Sequence, residues 1–136
     1  MAGYSGTPLA KKLGIKDGFR VSFVNAPDAF VQELELPPGV SIITTTMKPL
    51  DFVLLFVKSE GKLFKDFPVL ARKLRPNGML WVAWPKKVSG VATDLNENIV
   101  RQIGLDAGLV DVKICAVNDI WSGLKFVYRL KDRPRV

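Results

Sequence analysis

The stretch Arg75–Lys87, RPNGMLWVAWPKK, combines a turn signal, an unbroken apolar run and a basic exit. Proline presets φ at the first central position of a tight turn and Asn-Gly accepts the positive φ that follows, so Pro76-Asn77-Gly78 predicts a turn. Met79–Trp84 contains no charge, which is typical of a strand covered on both faces in a parallel sheet between helices. Pro85 has no N–H to donate and should end that strand.

The composition excludes several kinds of site. The chain has 136 residues, 48% of them hydrophobic and 24% charged, which predicts one globular domain over residues 1–136. It has no histidine and one cysteine, so Ser-His-Asp and Cys-His catalysis and the common zinc sites are ruled out. The apolar neighbours of Cys115 favour a packed thiol over a nucleophile.

The net charge of +7 comes from 20 Lys and Arg against 13 Asp and Glu. Such a basic balance fits anionic partners, and it also fits a simple solubility margin. The first residues lack the apolar core of a signal peptide, and no apolar stretch approaches the roughly 20 residues of a membrane span. We therefore expect a soluble cytoplasmic protein without a membrane partner.

Helix and strand patterns alternate through the first half of the chain. Proline at a first helical position and β-branched runs are the main signals. The predicted elements are a helix over Pro8–Leu13, a strand over Phe19–Val24, a helix from Pro27 to about Leu36, and strands over Val40–Thr45 and Asp51–Val57.

The second half begins with a helix capped by Ser59, which Pro68 should kink or divide, with Asp66 capping the second piece. Asp94 and Glu97 resemble a capping box for a helix that ends at Gly108. Alternating runs over Leu109–Val117 and from Leu124 onwards predict an antiparallel hairpin that turns at Asn118-Asp119. Together the elements predict a three-layer α/β sheet of about six strands, mostly parallel, with a C-terminal antiparallel hairpin.

Two phrases resemble class I S-adenosylmethionine-dependent methyltransferases. RKLRPNGMLWVAW is similar to the helix-to-fifth-strand passage of that family, and LDFVLLFV to its fourth strand. The resemblance is architectural, covers most of the chain from Phe19 to Leu130, and implies a Rossmann-like fold that lacks one strand–helix unit. The family's G-x-G cofactor loop corresponds here to Asn25-Ala26-Pro27-Asp28, and its acidic ribose-binding residue is absent from Val40–Thr46. We therefore expect no bound cofactor.

A second resemblance is to a group of short bacterial proteins with no assigned function. It implies the same fold and imports no activity. The phrases that carry it are YSGTPLAKKLGI at Tyr4–Ile15, LWVAWPKK at Leu80–Lys87, TDLNENIVR at Thr93–Arg101 and WSGLKFVYRL at Trp121–Leu130.

The predicted sheet brings polar residues to the carboxyl ends of its strands, where ligands usually bind in open α/β sheets. The N–H of Ala26 and a helix starting near Pro27 would favour a small anion. Asn25 fits the same site, and it also fits a cap on that helix. The candidate ligand-binding residues are Asn25, Ala26, Pro27, Thr45, Lys58, Trp84, Lys86, Lys87 and Trp121.

The three tryptophans differ in their expected positions. Trp81 and Trp84 lie three apart on one strand and point to opposite faces, so at most one lines the crevice, and Trp84 is nearer the strand end. A core role remains open for both. Trp121 should be half exposed beside the hairpin turn, where it either stacks on a base or partner or simply packs.

These observations leave three functional hypotheses. The first is a non-catalytic Rossmann-like domain that binds a small anionic ligand or a protein partner without S-adenosylmethionine. The second is a nucleic-acid-associated accessory protein, suggested by the charge and the basic tail Lys131–Val136. The third is a divergent methyltransferase-like enzyme using Lys86 or Lys87. The sequence assigns no catalytic residue and no metal ligand, and it leaves the oligomeric state open.

Overall fold

The computed structural model describes residues 8–44 and 49–132, in which six strands form one sheet flanked by helices. Two short 3₁₀ turns lie at Lys87–Ser89 and Leu130–Asp132. The strands are β1 (Arg20–Val24), β2 (Ser41–Ile42), β3 (Leu50–Phe56), β4 (Leu74–Pro85), β5 (Leu109–Ala116) and β6 (Trp121–Tyr128). The helices are α1 (Leu9–Leu13), α2 (Phe30–Glu33), α3 (Glu60–Ala71) and α4 (Glu97–Asp106).

The strand order is β2-β1-β3-β4-β6-β5. The pairs within β2-β1-β3-β4 are parallel, whereas β6 lies antiparallel between β4 and β5. The structure therefore confirms the predicted α/β sheet and its antiparallel C-terminal hairpin. No helix in the described part of the chain has the length and apolar character needed to cross a membrane.

The Leu80–Trp84 part of β4 is buried on both faces, as the charge-free run Met79–Trp84 predicts. Trp81 packs in the core on the α1 and α2 side, and Trp84 in the core on the α3 and α4 side. The indole N–H of Trp81 donates to the carbonyl of Leu13, 2.9 Å away. Since a buried indole needs an acceptor, this bond fixes where the last turn of α1 lies on the sheet.

The predicted turn at Pro76-Asn77-Gly78 is wrong, because these residues lie inside β4. None of the three has a positive φ. Leu50 pairs with Leu74 while Phe52 pairs with Met79, so β4 carries extra residues in a bulge opposite β3. The glycine is required there by close approach, since a Cβ would lie 2.9 Å from the carbonyl oxygen of Leu50.

Helix α2 is a single turn and does not extend from Pro27 to Leu36. Ala29, just before it, has φ 65°, and Leu34, just after it, is extended with ψ 132°. Both conformations are incompatible with helix continuation. The apolar residues whose spacing predicted a longer helix, among them Val31, Leu34 and Leu36, instead lie in and after this single turn and pack on the sheet.

Helix α3 is continuous through Pro68, so the predicted division at Asp66 is wrong. Ser59 caps it as expected, its Oγ accepting from the N–H of Lys62 at 3.2 Å. Pro68 cannot donate to the carbonyl of Phe64, one turn earlier. Because Phe64 is 69% exposed, that carbonyl lies on the solvent side, where water can satisfy it.

The predicted capping box at Asp94 is also wrong. Helix α4 is capped by Asn96, whose Oδ1 accepts from the N–H of Ile99 at 2.9 Å. The carboxylate of Asp94 instead accepts from the N–H of Glu60, 2.7 Å away, in the first turn of α3. It thus joins the loop after β4 to the start of a helix 34 residues earlier in the chain.

Helix α4 approaches the sheet at Gly104. A Cβ at this position would overlap the ring of Phe126, which is fully buried and packs edge-to-face on Phe67 with ring centroids 5.0 Å apart. Glycine lowers the helix propensity of α4, but its missing Cβ allows the helix to lie directly on the Phe126 ring.

We expect Gly104→Ala to destabilise the protein by about 1–3 kcal/mol, because overpacking against Phe126 outweighs the better helix propensity of alanine. Gly61→Ala is the matched control, since Gly61 lies in α3 with open space around its Cα. The control should leave stability unchanged or raise it by up to about 1 kcal/mol. Urea denaturation measures both, and equal stability of the two variants would contradict the packing argument.

Candidate functional site

A cleft of about 470 Å³ opens at the carboxyl ends of β1 and β3. The chain leaves β1 towards β2 on one side, and β3 leads to β4 on the other, so the cleft lies at the point where the strand order reverses. This is where ligands bind in open α/β sheets, and the volume suits a small molecule. The lining residues are Asn25, Pro27, Phe56, Val57, Lys58, Ser59, Lys62 and Trp121.

The floor of the cleft is aromatic. The rings of Phe56 and Trp121 meet edge-to-face with centroids 5.0 Å apart, and Phe56 also packs on Phe30 at 4.9 Å. The prediction that Trp121 is half exposed is wrong, since only 7% of it is accessible. Asn118 is the local cause: its Oδ1 accepts from the N–H of Ile120 and of Trp121, both at 2.9 Å, and folds the hairpin turn back over the sheet.

Asn25 follows β1 directly and does not cap α2. Its φ is 58°, and its Nδ2 donates to the carbonyl of Phe56 at 3.4 Å, which links the ends of β1 and β3. The cap position of α2 is Ala29, which makes no side-chain hydrogen bond. The cap hypothesis for Asn25 is therefore wrong.

The loop Asn25–Ala29 has an unusual backbone. Among residues 8–44 and 49–132, Asn25 and Ala29 are the two non-glycine residues with positive φ, and both lie in this loop. Such conformations persist only where the surroundings hold them, and they concentrate at functional sites. The predicted helix N-terminus near Pro27 is wrong, because Pro27 precedes the helix and its carbonyl accepts from the N–H of Phe30 at 3.1 Å.

Two lysines supply the charge at the cleft. Lys58 follows β3, is exposed, and forms no ion pair within the described residues. Thr93 holds its backbone by donating from Oγ1 to the Lys58 carbonyl at 2.5 Å. Lys62 pairs with Asp66 at 2.8 Å, so much of its charge is already matched. Lys58 is therefore the cation most available to a ligand.

The structure brings together four of the predicted site residues: Asn25, Pro27, Lys58 and Trp121. Trp84 is 5% exposed in the core and Ala26 packs against the opposite core, and neither lines the cleft.

The remaining predicted residues lie elsewhere. Lys86 and Lys87 follow β4 outside the lining, the N–H of Lys86 donating to Ile120 at 2.7 Å. Thr45 lies outside the described residues. Sequence reasoning missed Phe56, Val57, Ser59 and Lys62 as lining residues. Ser59 follows Lys58 at a strand end, and Lys62 lies one helical turn later.

The side chains of the cleft offer an amide, a hydroxyl and ammonium groups above aromatic rings. The described residues contain no group of three or more His, Cys, Asp or Glu able to hold a metal ion. Cys115 lies away from the cleft on β5, where burial raises the pKa of its thiol despite the opposing influence of Lys12 and Lys113. The structure thus agrees with a packed thiol, because a raised pKa keeps the thiolate fraction low.

No protein-family model matches this sequence, and no curated protein matches it either. The likeness of the four phrases to short bacterial proteins therefore stays a prediction. Solved structures do match. A magnesium protoporphyrin IX methyltransferase from Synechocystis PCC 6803 with bound SAH is 11% identical, with 89% of this chain and 78% of that chain covered and a TM-score of 0.58.

Two further structures are similar over nearly their whole length. The precorrin-6y C5,15-methyltransferase from Geobacter metallireducens is 11% identical, with 89% and 86% of the two chains covered and a TM-score of 0.61. A SAM dependent methyltransferase from Aquifex aeolicus is 13% identical, with 87% and 86% covered and a TM-score of 0.64. At this identity the likeness concerns the fold alone, and the chain has a methyltransferase-like Rossmann fold.

We expect Ala29→Gly to stabilise the protein by about 0.5–1 kcal/mol, because alanine is strained at φ 65° and glycine is not. Ala26→Gly is the matched control: Ala26 has no positive φ, so the added freedom of the unfolded chain should destabilise the protein by about 0.5–1 kcal/mol. Thermal unfolding compares the two. A loss of stability in both variants would show that the loop is not strained at Ala29.

Proposed function

We propose that this chain is a non-catalytic, methyltransferase-like domain whose cleft binds a small anionic ligand without S-adenosylmethionine. The observation that carries the proposal is the charge of the cleft: its described lining contains Lys58 and Lys62 and no carboxylate. An anion entering it meets the Lys58 ammonium, which has no ion-pair partner in the described chain, beside the apolar rings of Phe56 and Trp121.

The start of α3 adds to the attraction. This helix has 12 residues, and its first turn begins beside Ser59 in the cleft lining. The positive end of the helix dipole therefore faces the same space as the Lys58 ammonium. Asp94 already accepts one of the free N–H groups of that turn, so the side chain of Lys58 remains the main contribution.

The loop after β1 argues against the usual cofactor. The glycine loop of the resembling family lets backbone approach the cofactor closely, and Asn25–Ala29 places side chains and a proline ring there. S-adenosylmethionine also has a net positive charge, from a sulfonium and an ammonium against one carboxylate, and the unpaired Lys58 ammonium would repel its cationic groups. A protein segment with an acidic side chain is the other occupant that this charge would fit.

A thermal-shift screen with AMP, glucose 6-phosphate and inorganic phosphate tests the anion site. At least one of these should raise the melting temperature, and Lys58→Gln should weaken its binding about 10–100-fold, the loss expected for one charge-assisted hydrogen bond. Lys65→Gln removes the same charge from an exposed position on α3 outside the lining and should have no effect. No shift with any of the three ligands, or equal weakening in both variants, would rule the site out.

A second candidate is a divergent methyltransferase-like enzyme, and the comparisons with solved structures favour it over the first. The three structures named above are methyltransferases, one of them with bound SAH. Isothermal titration with S-adenosylmethionine separates the two candidates. We expect no heat of binding, whereas micromolar affinity would replace the non-catalytic proposal with the enzyme.

A further inference from the structure

Four lysines lie together on the α1 side of the sheet. Lys113 on β5 is directly opposite Lys125 on β6. The ammonium of Lys113 donates to the carbonyl of Lys12 at 2.8 Å, and Lys16 is close enough to Lys125 to repel it. We name Lys12, Lys16, Lys113 and Lys125 the lysine cluster. Lys125 is four residues along β6 from Trp121 in the cleft, about 13 Å at strand spacing.

The lysine cluster places like charges side by side. Directly opposed residues on antiparallel strands have Cβ atoms about 4.5–5.5 Å apart, and like charges in such pairs are destabilising. None of the four lysines forms an ion pair with a carboxylate in the described chain. Burial lowers the pKa of the Lys125 ammonium, and Lys113 and Lys16 lower it further. The fold therefore brings four positive charges together, and no carboxylate among the described residues forms an ion pair with them.

Capping of α1 explains only part of this arrangement. The Lys113 ammonium satisfies one carbonyl at the end of that helix. The ammonium of Lys125 has no hydrogen-bond partner among the described residues, and it lies beside Gly14, 3.9 Å from where a Cβ would be. With φ 91°, Gly14 ends α1, and a Cβ at this position would also lie 3.3 Å from the sulfur of Met79. Among the described residues, the ammonium groups of Lys12, Lys16 and Lys125 therefore have no hydrogen-bond partner, and their donors are available to a ligand.

We propose that the lysine cluster binds a phosphate-bearing ligand. Phosphate is compact, carries more than one negative charge when terminal, and accepts hydrogen bonds from several donors at once, which neighbouring lysine side chains can supply. A single carboxylate would leave most of the cluster's charge unmatched. A phosphorylated small molecule and the backbone of a nucleic acid share this chemistry. The site uses none of the residues of the cleft and is independent of the function proposed above.

The test compares two charge-matched double variants of the full chain. Lys113→Gln with Lys125→Gln removes two charges from the cluster. Lys65→Gln with Arg72→Gln removes two exposed charges at α3, on the other side of the sheet. The probes are sodium tripolyphosphate, by calorimetry, and a fluorescein-labelled 20-nucleotide single strand, by anisotropy at about 50 mM salt. We expect at least one probe to bind the wild type, tenfold weaker binding by the cluster variant, and a change within twofold for the control.

The melting temperature separates loss of binding from loss of folding. The cluster variant loses both the repulsive pair and the Lys113 bond to α1, so its melting temperature should stay close to that of the wild type. Lys125→Gln alone keeps that bond, should melt at or above the wild-type temperature, and should show the same weakening of binding in smaller measure.

The two sources of phosphate give different results. Binding of tripolyphosphate without the oligonucleotide identifies a phosphorylated small molecule. Oligonucleotide binding identifies a nucleic-acid backbone if its salt dependence is weaker in the cluster variant. The slope of log affinity against log salt concentration should fall in magnitude by about 1.4, about 0.7 per lost phosphate contact. The proposal fails if neither probe binds, if both double variants weaken binding equally, or if a hexaglutamate peptide binds the cluster as tightly as tripolyphosphate.

Discussion

The burial of Leu80–Trp84 in β4 on both faces is the constraint on which the rest of this structure depends. A charge-free segment with Trp81 on one face and Trp84 on the other cannot face water on either side, so helices must cover both. The indole of Trp81 needs an acceptor and finds it at Leu13. That bond holds the end of α1 against β4, and the neighbouring carbonyl of Lys12 accepts from Lys113 on β5.

The cleft is a consequence of strand order combined with the C-terminal hairpin. Parallel β1 and β3 lie side by side while their connections diverge, so their carboxyl ends leave an open space. The hairpin then closes its floor, because β6 begins with Trp121 and sets that ring against Phe56. The amide of Asn25 joins the two strand ends across the cleft. A loop held in left-handed conformations at Asn25 and Ala29 forms one wall, and this backbone persists because the packed sheet determines both of its ends.

The charges of the protein divide into two kinds. Some are matched and structural: Arg75 pairs with Asp51, and Arg101 with Glu97 and Asp111. For Arg101 the hydrogen bonds to the two carboxylates raise the pKa of an already cationic group. Others, at Lys58 and in the lysine cluster, have no carboxylate partner in the described chain. Part of the excess positive charge therefore lies at the cleft and in the lysine cluster.

The sequence alone predicted the alternation of helices and strands, the buried strand at Met79–Trp84 and the antiparallel hairpin. It did so because hydrophobic periodicity and charge determine which face of a helix or strand can be exposed to solvent. Of the candidate residues that the sequence suggested, Asn25, Pro27, Lys58 and Trp121 line one cleft in the structure. Only the tertiary structure decided which local signals were overridden. Pairing with β3 places the predicted Pro-Asn-Gly turn in a bulge of β4. Helix α3 continues through Pro68. Asp94 accepts a hydrogen bond from Glu60 and does not cap its expected helix. The lysine cluster was beyond the reach of sequence reasoning for the same reason: its residues are up to 113 positions apart, and only strand pairing and the docking of α1 place them together.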